Sequence, residues 1–183
     1  MKGPITGLLT LGFLVGVHAS ATAQERIPEA RSAAIGIDVG AFVPPASEMN
    51  NSLLLNVLYE YYVTPRVSLR TDVGWASPSF NSGGISSLRT IPVRLDLNYN
   101  WEGGRFHPFV GTGAGVYFMQ FRSNQQVFGD TESKLGFNLG GGVEYFVHRQ
   151  VSLKGEGRYH FIQDTRGHDP SGLAITAGLK TYF

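Results

Sequence analysis

Residues 91–99 read IPVRLDLNY, and every second position of the stretch, from Ile91 to Tyr99, is apolar or aromatic. Arg94 and Asp96 stand between these positions, so charged and apolar residues alternate. Successive side chains of a β-strand point to opposite faces of a sheet, which gives a repeat of two residues. The stretch therefore predicts a strand with one face in apolar surroundings and the other among charges.

Seven further segments carry this alternation, separated by turn residues at intervals of roughly ten residues. The eight predicted strands cover residues 33–43, 53–63, 67–75, 91–99, 110–120, 135–145, 151–161 and 173–183. One face of these strands holds no charged residue, although 16% of the chain is charged. The other face collects six acids and five bases: Asp38, Glu60, Arg70, Asp72, Arg94, Asp96, Glu144, Lys154, Glu156, Arg158 and Lys180. Such a series predicts an all-β fold, an eight-stranded antiparallel up-and-down barrel.

The alternation alone does not decide which face lines the barrel interior, because a soluble lipocalin-like barrel gives the same pattern. The placement of aromatic residues favours a transmembrane barrel with its apolar face toward lipid. They collect at the ends of that face: Tyr59, Tyr61, Tyr99, Tyr145 and Phe183 at one end, and Trp75, Phe118, Tyr159 and Phe161 at the other. Two aromatic girdles around an aliphatic band are typical of outer-membrane barrels.

The predicted connections alternate between short and long. Short turns are predicted at residues 64–66, 100–107 and 146–150, and long loops at 44–52, 76–88, 121–133 and 162–172. Outer-membrane barrels have short periplasmic turns and longer extracellular loops, so the first strand is predicted to run outward from the periplasm. The long connections are polar, which is usual for solvated loops, and their sequences identify no ligand. Polar stretches in them lie at 44–48, 82–84, 122–126 and 166–170.

The first 23 residues are predicted to be a cleaved signal peptide. Lys2 precedes an apolar run, and Ala21-Thr22-Ala23 matches the small-residue pattern before a cleavage site. The run is too short to span a bilayer, and no later stretch approaches 18 consecutive apolar residues, so a membrane location requires a barrel. The chain is thus divided into a signal peptide (1–23), a short lead-in (24–31) and a barrel domain (32–183).

The composition excludes several kinds of function. The absence of cysteine excludes disulfides and thiolate chemistry. The 15 basic and 14 acidic residues nearly balance, which argues against a nucleic-acid partner, since such surfaces need a basic stripe. His107, His148 and His168 stand in predicted connections without metal-ligand spacing and are predicted to be solvated. No cofactor and no metal is predicted.

Three stretches read HPFVGTGAGVYF (107–118), GGGVEYF (140–146) and LKGEGRY (153–159). They resemble the fifth, sixth and seventh strands of the small outer-membrane β-barrel family typified by outer membrane proteins A and X. The resemblance covers residues 32–183. It implies an integral protein of the bacterial outer membrane that is exported through the periplasm. It further implies a monomer in contact with outer-membrane lipid and lipopolysaccharide.

The last eight residues, TAGLKTYF (176–183), are similar to the insertion signal of that family. The match rests on Thr176, Gly178 and the final aromatic Phe183, whereas Thr181 stands where a hydrophobic residue is usual. The resemblance implies that the barrel-assembly machinery is a partner during biogenesis.

The glycines of the run Gly111-x-Gly113-x-Gly115 alternate with outward-facing residues. A phosphate-binding glycine loop requires a helix after the strand, and none is predicted here. The glycines are instead predicted to thin the inner wall opposite large side chains.

The charged face allows three functions. Eight strands enclose a space that side chains fill, so acids and bases on the inner wall must pair or remain as desolvated charges. The leading prediction is a non-catalytic envelope barrel with a salt-bridged, closed lumen and a structural or surface-interaction role. A narrow channel for ions or small apolar solutes is the alternative. A lipid A-modifying enzyme comes third: His160 beside Arg158 suggests it, but the His-x-Ser pair of the deacylases is absent because Ile162 replaces the serine. No catalytic residue is predicted.

Overall fold

The structure is a computed structural model that describes residues 28–44, 49–80, 87–101, 104–123, 126–127, 130–165 and 168–183. The predicted signal peptide lies outside this part of the chain. So do portions of the predicted connections, at residues 45–48, 81–86, 102–103, 124–125, 128–129 and 166–167. Within the described ranges, no helix has the length and apolar character needed to cross a membrane.

The described residues form nine β-strands, whose apolar and polar positions alternate along each strand. They are β1 (Ala33–Val43), β2 (Ser52–Tyr62), β3 (Val67–Ala76), β4 (Ser87–Asn100), β5 (Phe106–Ser123), β6 (Gln126–Val127), β7 (Glu132–His148), β8 (Val151–Ile162) and β9 (Gly172–Tyr182). All eight predicted strands are present. The strands β4, β5 and β7 extend beyond their predicted bounds, and β6 is a two-residue strand that pairs with the end of β5.

The strands close into an eight-stranded antiparallel barrel, as predicted. Each barrel strand pairs with its neighbours in chain order, β4 pairs with β5, and β9 returns to pair with β1. A path of directly paired residues that leaves β1 at Ala33 passes once around the barrel and returns to β1 at Val43. This stagger of ten residues (33 to 43) corresponds to strands tilted by roughly 40°.

The two faces of the barrel wall have opposite character. Apolar side chains point outward, where Leu95 is 58% exposed and Phe137 is 69% exposed. Neighbouring charged side chains point inward, and Arg70 and Asp96 are completely buried. A soluble barrel has the reverse arrangement, because its apolar face forms the core. The prediction that the charged face lines the interior is therefore confirmed, and the exterior suits an apolar solvent.

The connections alternate in length as predicted. At one end of the barrel, here called the short-turn end, only a few residues separate β2 from β3, β4 from β5 and β7 from β8. The connections at the other end, the long-loop end, occupy residues 44–51, 77–86, 124–131 and 163–171. Both Ala33 and Phe183 lie at the short-turn end, where their backbone N–H and C=O groups bond to each other.

The glycines of β5 lie opposite large inward side chains of β4, as predicted. Gly113 pairs with Asp96, and a Cβ atom added to it would lie 2.0 Å from the Asp96 carboxylate. Gly115 pairs with Arg94 in the same way. Side chains of β4 therefore occupy the space above a bare stretch of β5.

Candidate functional site

Charged side chains fill the middle of the lumen in one connected layer. We call this the central layer; it comprises Asp38, Arg70, Asp72, Arg94, Asp96, Lys154, Glu156 and Arg158. Its four acids and four bases balance in charge. All eight residues are more than nine-tenths buried, so each charge depends on its neighbours for compensation.

Arg70 connects opposite walls of the barrel. Its guanidinium donates from Nε to Asp72 at 2.9 Å, and from Nη2 to Asp96 on the adjacent strand at 3.1 Å. It also binds both carboxylate oxygens of Glu156, at 3.0 Å and 2.9 Å. Glu156 is on β8, across the lumen from β3. Two parallel N–H···O bonds of this kind fix geometry as well as charge.

Arg158 and Arg94 complete the pairing on the β4 and β8 walls. Arg158 donates from Nε to Glu156 at 2.6 Å and from Nη1 to the amide oxygen of Asn138. Asn138 in turn donates to Asp96 at 2.8 Å. Nη2 of Arg94 lies 3.1 Å from Asp72, although Nε and Nη1 of Arg94 have no hydrogen-bond partner among the described residues.

Lys154 joins the β1 wall to this layer. Its ammonium group lies 2.7 Å from Asp38 and 2.8 Å from Glu156. Gly178 lies between Asp38 and Lys154 in the sheet, since both residues pair with it. A Cβ atom on Gly178 would lie 1.9 Å from Oδ1 of Asp38, so this ion pair requires a glycine beneath it.

A second charged layer lies nearer the short-turn end. Lys180 is bound by two acids, Glu60 at 2.7 Å and Glu144 at 2.8 Å. The surplus negative charge is met by neutral donors, because the hydroxyls of Tyr182 and Ser152 donate to Glu144. Glu60 likewise accepts hydrogen bonds from Ser68 and Asn98.

The structure thus places all eleven predicted luminal charges inside the barrel and joins them in two layers. Sequence reasoning named the residues but could not assign partners, because the stagger of the strands decides which residues of facing walls lie at the same height. Asn138, Ser68, Ser152 and Tyr182 were missed, although each has inward parity.

The lumen near the long-loop end is apolar, which the sequence analysis did not predict. We call this the apolar layer; it comprises Met49, Leu88, Tyr117, Met119, Phe121 and Ile162, with Phe80 packed against them. A cavity of about 30 Å³ is lined by residues of both this layer and the central layer, with room for about two water molecules. The cavity is lined on one side by Leu88 and Phe42 and on the other by Arg94 and Arg158.

Two of the three histidines predicted to be solvated, His107 and His168, are packed against other side chains. His107 lies in β5, is buried, and contacts the backbone oxygen of Gly104 at 2.7 Å and the ring of Phe146. His168 packs against Phe80, with ring centroids 5.1 Å apart. His107 was predicted to lie in a connection because β5 begins at Phe106, earlier than predicted, whereas His168 does lie in a connection. His148, at the end of β7, is exposed as predicted.

His160 lies at the boundary between the central and apolar layers. Its Nδ1 and the Tyr117 hydroxyl share a hydrogen bond of 2.8 Å, and its ring packs edge-on against Phe42. The described residues contain no cluster of three or more side chains that could hold a metal ion.

Comparison with curated proteins finds similarity to a 22 kDa outer membrane protein of Rhizobium leguminosarum bv. viciae. The two are 24% identical over 130 residues, which cover 61% of this chain and 57% of the relative. The chain therefore spans a little over half the length of the curated relative it matches.

Solved structures share the fold. Neisserial surface protein A superposes with a TM-score of 0.67 at 13% identity, covering 83% of this chain and 97% of that chain. OprG of Pseudomonas aeruginosa superposes with a TM-score of 0.69 at 13% identity, covering 85% of this chain and 97% of that chain. The sequence model of a family described as the outer membrane protein beta-barrel domain matches residues 8–183. Because this match includes every strand of the barrel, the chain belongs to that family and is an integral β-barrel protein of the bacterial outer membrane.

Proposed function

We propose that this protein is a non-conducting, non-catalytic barrel that holds its long loops at the cell surface. The observation that carries the proposal is the central layer, in which Arg70 and Glu156 tie opposite walls together. An ion crossing the lumen would have to separate these buried charges, and breaking such a pair by removing one partner costs about 3–5 kcal/mol. The long-loop end then faces the outside of the cell and the short-turn end faces the periplasm.

A narrow channel is the alternative, and planar-bilayer conductance separates the two. We expect the wild-type barrel to give no stable current steps. The variant Arg70→Ala/Glu156→Ala removes two large side chains from the central layer while keeping its charge balance, so current steps from this variant would show that the central layer is what keeps the lumen closed. Discrete, reproducible steps from the wild type at neutral pH would refute the closed lumen. Silence of both proteins would show that the apolar layer also keeps the lumen closed.

A lipid-modifying activity has less support. His160 is engaged by Tyr117 inside the lumen and packs on Phe42, rather than facing the lipid-exposed wall. Mass spectra of lipid A from cells with and without the protein should be identical. A mass change that depends on His160 would contradict the non-catalytic assignment.

Export and assembly follow from the same proposal. Residues 1–23 are removed on export, so amino-terminal sequencing of the outer-membrane form should begin at Gln24. The segment 176–183 is recognised by the barrel-assembly machinery, with Gly178 and Phe183 as its determinants.

The mature protein is a monomer embedded in outer-membrane lipid and lipopolysaccharide. Sedimentation in detergent that is density-matched to the solvent should give one copy per particle.

A further inference from the structure

Two arginines point outward from the barrel wall at the long-loop end. In the register of β4 and β5, Ser87 pairs with Arg122 and Arg89 pairs with Gln120. The neighbouring inward residues Leu88 and Phe121 are buried in the apolar layer, so both arginines face the exterior. Within the strand ranges given above, Arg89 and Arg122 are the only Lys, Arg, Asp or Glu residues at outward positions.

Arg89 and Arg122 lie close together and have no acid partner among the described residues. They are diagonal neighbours on adjacent strands, a placement that separates Cα atoms by roughly 7–8 Å, and long side chains bridge such a gap. No described residue forms an ion pair or hydrogen bond with either side chain, and the Nε atom of each is buried without an acceptor. Two like charges, partly desolvated and adjacent, destabilise a sheet unless an anion lies between them.

The lumen shows how this chain treats its other buried cations. Each luminal base has a carboxylate oxygen within 3.1 Å, from Arg70 with three acids to Lys180 with two. Arg89 and Arg122 depart from this pattern on the lipid-facing side. An anion from outside the chain would complete them.

Their depth in the bilayer identifies the source of that anion. The next rung toward the membrane centre pairs Ile91 with Phe118, and Phe118 belongs to the aromatic girdle at this end. The arginines therefore lie at the level of the lipid headgroups, just outside the apolar band. Both arginines stand on regular β-strands, and the backbone of Arg122 also pairs with Val127 of β6. Guanidinium groups bind phosphate oxygens through paired hydrogen bonds and are the preferred partners of phosphate in proteins.

We propose that Arg89 and Arg122 together bind a phosphate group of a phosphorylated glycolipid in the outer leaflet. This rests on the proposed orientation of the barrel and names the contact through which that leaflet is recognised. The lipid's acyl chains would lie along the apolar exterior below, beside Phe118 and Val116. Inorganic phosphate offers the same chemistry without the chains, so the test must separate the two sources.

Native mass spectrometry of the detergent-solubilised mature protein tests the site. The probes are bisphosphorylated lipid A, the same lipid with both phosphates removed, and inorganic phosphate as competitor. The variant Arg89→Gln/Arg122→Gln should bind bisphosphorylated lipid A about tenfold more weakly or worse, from the loss of charge-assisted hydrogen bonds. The matched control Arg105→Gln removes an exposed arginine from a short turn and should bind like the wild type. Heat-modifiable migration in gels verifies that each variant is folded.

Three results would overturn the proposal. Equal binding of bisphosphorylated lipid A by the double variant and the wild type would show that these arginines do not bind the lipid. An equal loss of lipid A binding in Arg105→Gln would show that the effect is general charge attraction. Displacement of lipid A by inorganic phosphate at millimolar concentration would make the ligand a free anion. The conductance of the wild type bears on the closed lumen alone, so the two proposals can fail separately.

Discussion

The central layer and the apolar layer occupy the same lumen yet hold it closed by different means. In the central layer, Arg70 and Glu156 cross between opposite walls, and each base has a carboxylate oxygen within 3.1 Å. In the apolar layer, Leu88 and Phe121 fill space without polar partners. Ion pairs depend on the identity of each group, whereas apolar packing depends on volume. Substitutions that preserve volume should therefore separate the two layers.

The largest effect is expected for Arg70→Met, which keeps most of the side-chain volume and removes the charge. Asp72, Asp96 and Glu156 then share too few cations, so the free energy of unfolding should fall by about 3–5 kcal/mol. Urea-dependent folding in lipid vesicles, followed by tryptophan fluorescence, measures it. The control Lys134→Met breaks the partly exposed pair with Glu132 and should cost under about 1 kcal/mol. Similar losses in both variants would contradict the central role of Arg70.

The outer wall gives the next effect. Leu95 points to the lipid near mid-membrane while its neighbour Asp96 points into the lumen. Leu95→Arg should lower the free energy of unfolding by roughly 2–4 kcal/mol, because a charge on the lipid face is desolvated. Ser133→Arg, an exposed position that pairs with Phe118 of the aromatic girdle, should cost at most about 1 kcal/mol in the same vesicle assay. A position-independent cost would argue against a bilayer around this wall.

The apolar layer should respond to volume rather than to identity. Leu88→Ala is expected to lower the free energy of unfolding by about 2–3 kcal/mol, within the range for buried leucines. Leu88→Met keeps the volume and should cost less than about 1.5 kcal/mol. The same two variants measured in vesicles decide the matter, since a methionine as harmful as alanine would mean that this layer needs a specific side chain.

The smallest effect on the folded state is expected at the carboxyl terminus. Phe183 is 67% exposed to the exterior, so its deletion should lower the free energy of unfolding by only about 1–2 kcal/mol. Assembly in cells should fall much further, because the terminal strand is the proposed recognition element. Heat-modifiable protein in outer-membrane fractions is compared with refolding of the same variant into detergent. Accumulation of the deletion variant in the outer membrane at the wild-type level would show that Phe183 is not needed for recognition.

The period of two in residues 91–99 was enough to predict the strands and the face that lines the lumen. It failed at the long-loop end, where Arg89 and Arg122 stand at outward positions. There the strands leave the apolar part of the bilayer, so outward residues are polar and the alternation that reveals a strand disappears. Leu88 and Phe121 were therefore left in predicted loops, and the apolar layer was missed.

The partners in the lumen could not be predicted for a different reason. Arg70 and Asp96 are adjacent in the sheet and could be paired once the strands were known. The bond between Arg70 and Glu156 depends on which residues of opposite walls lie at the same height, and that is set by the stagger of the closed barrel. A sequence read strand by strand carries no such information.

A double-mutant cycle at Arg70 and Glu156 tests the central claim most directly, namely that the buried charges of the central layer are paired across the lumen. The unfolding free energies of the wild type, Arg70→Met, Glu156→Gln and the double variant are compared in vesicles. The double variant leaves three acids and three bases in the central layer, so it should be more stable than the sum of the single losses predicts, with a coupling energy of about 1–3 kcal/mol. The same cycle at Glu132 and Lys134 should give about 0.5 kcal/mol or less. Additive losses at Arg70 and Glu156 would contradict the account.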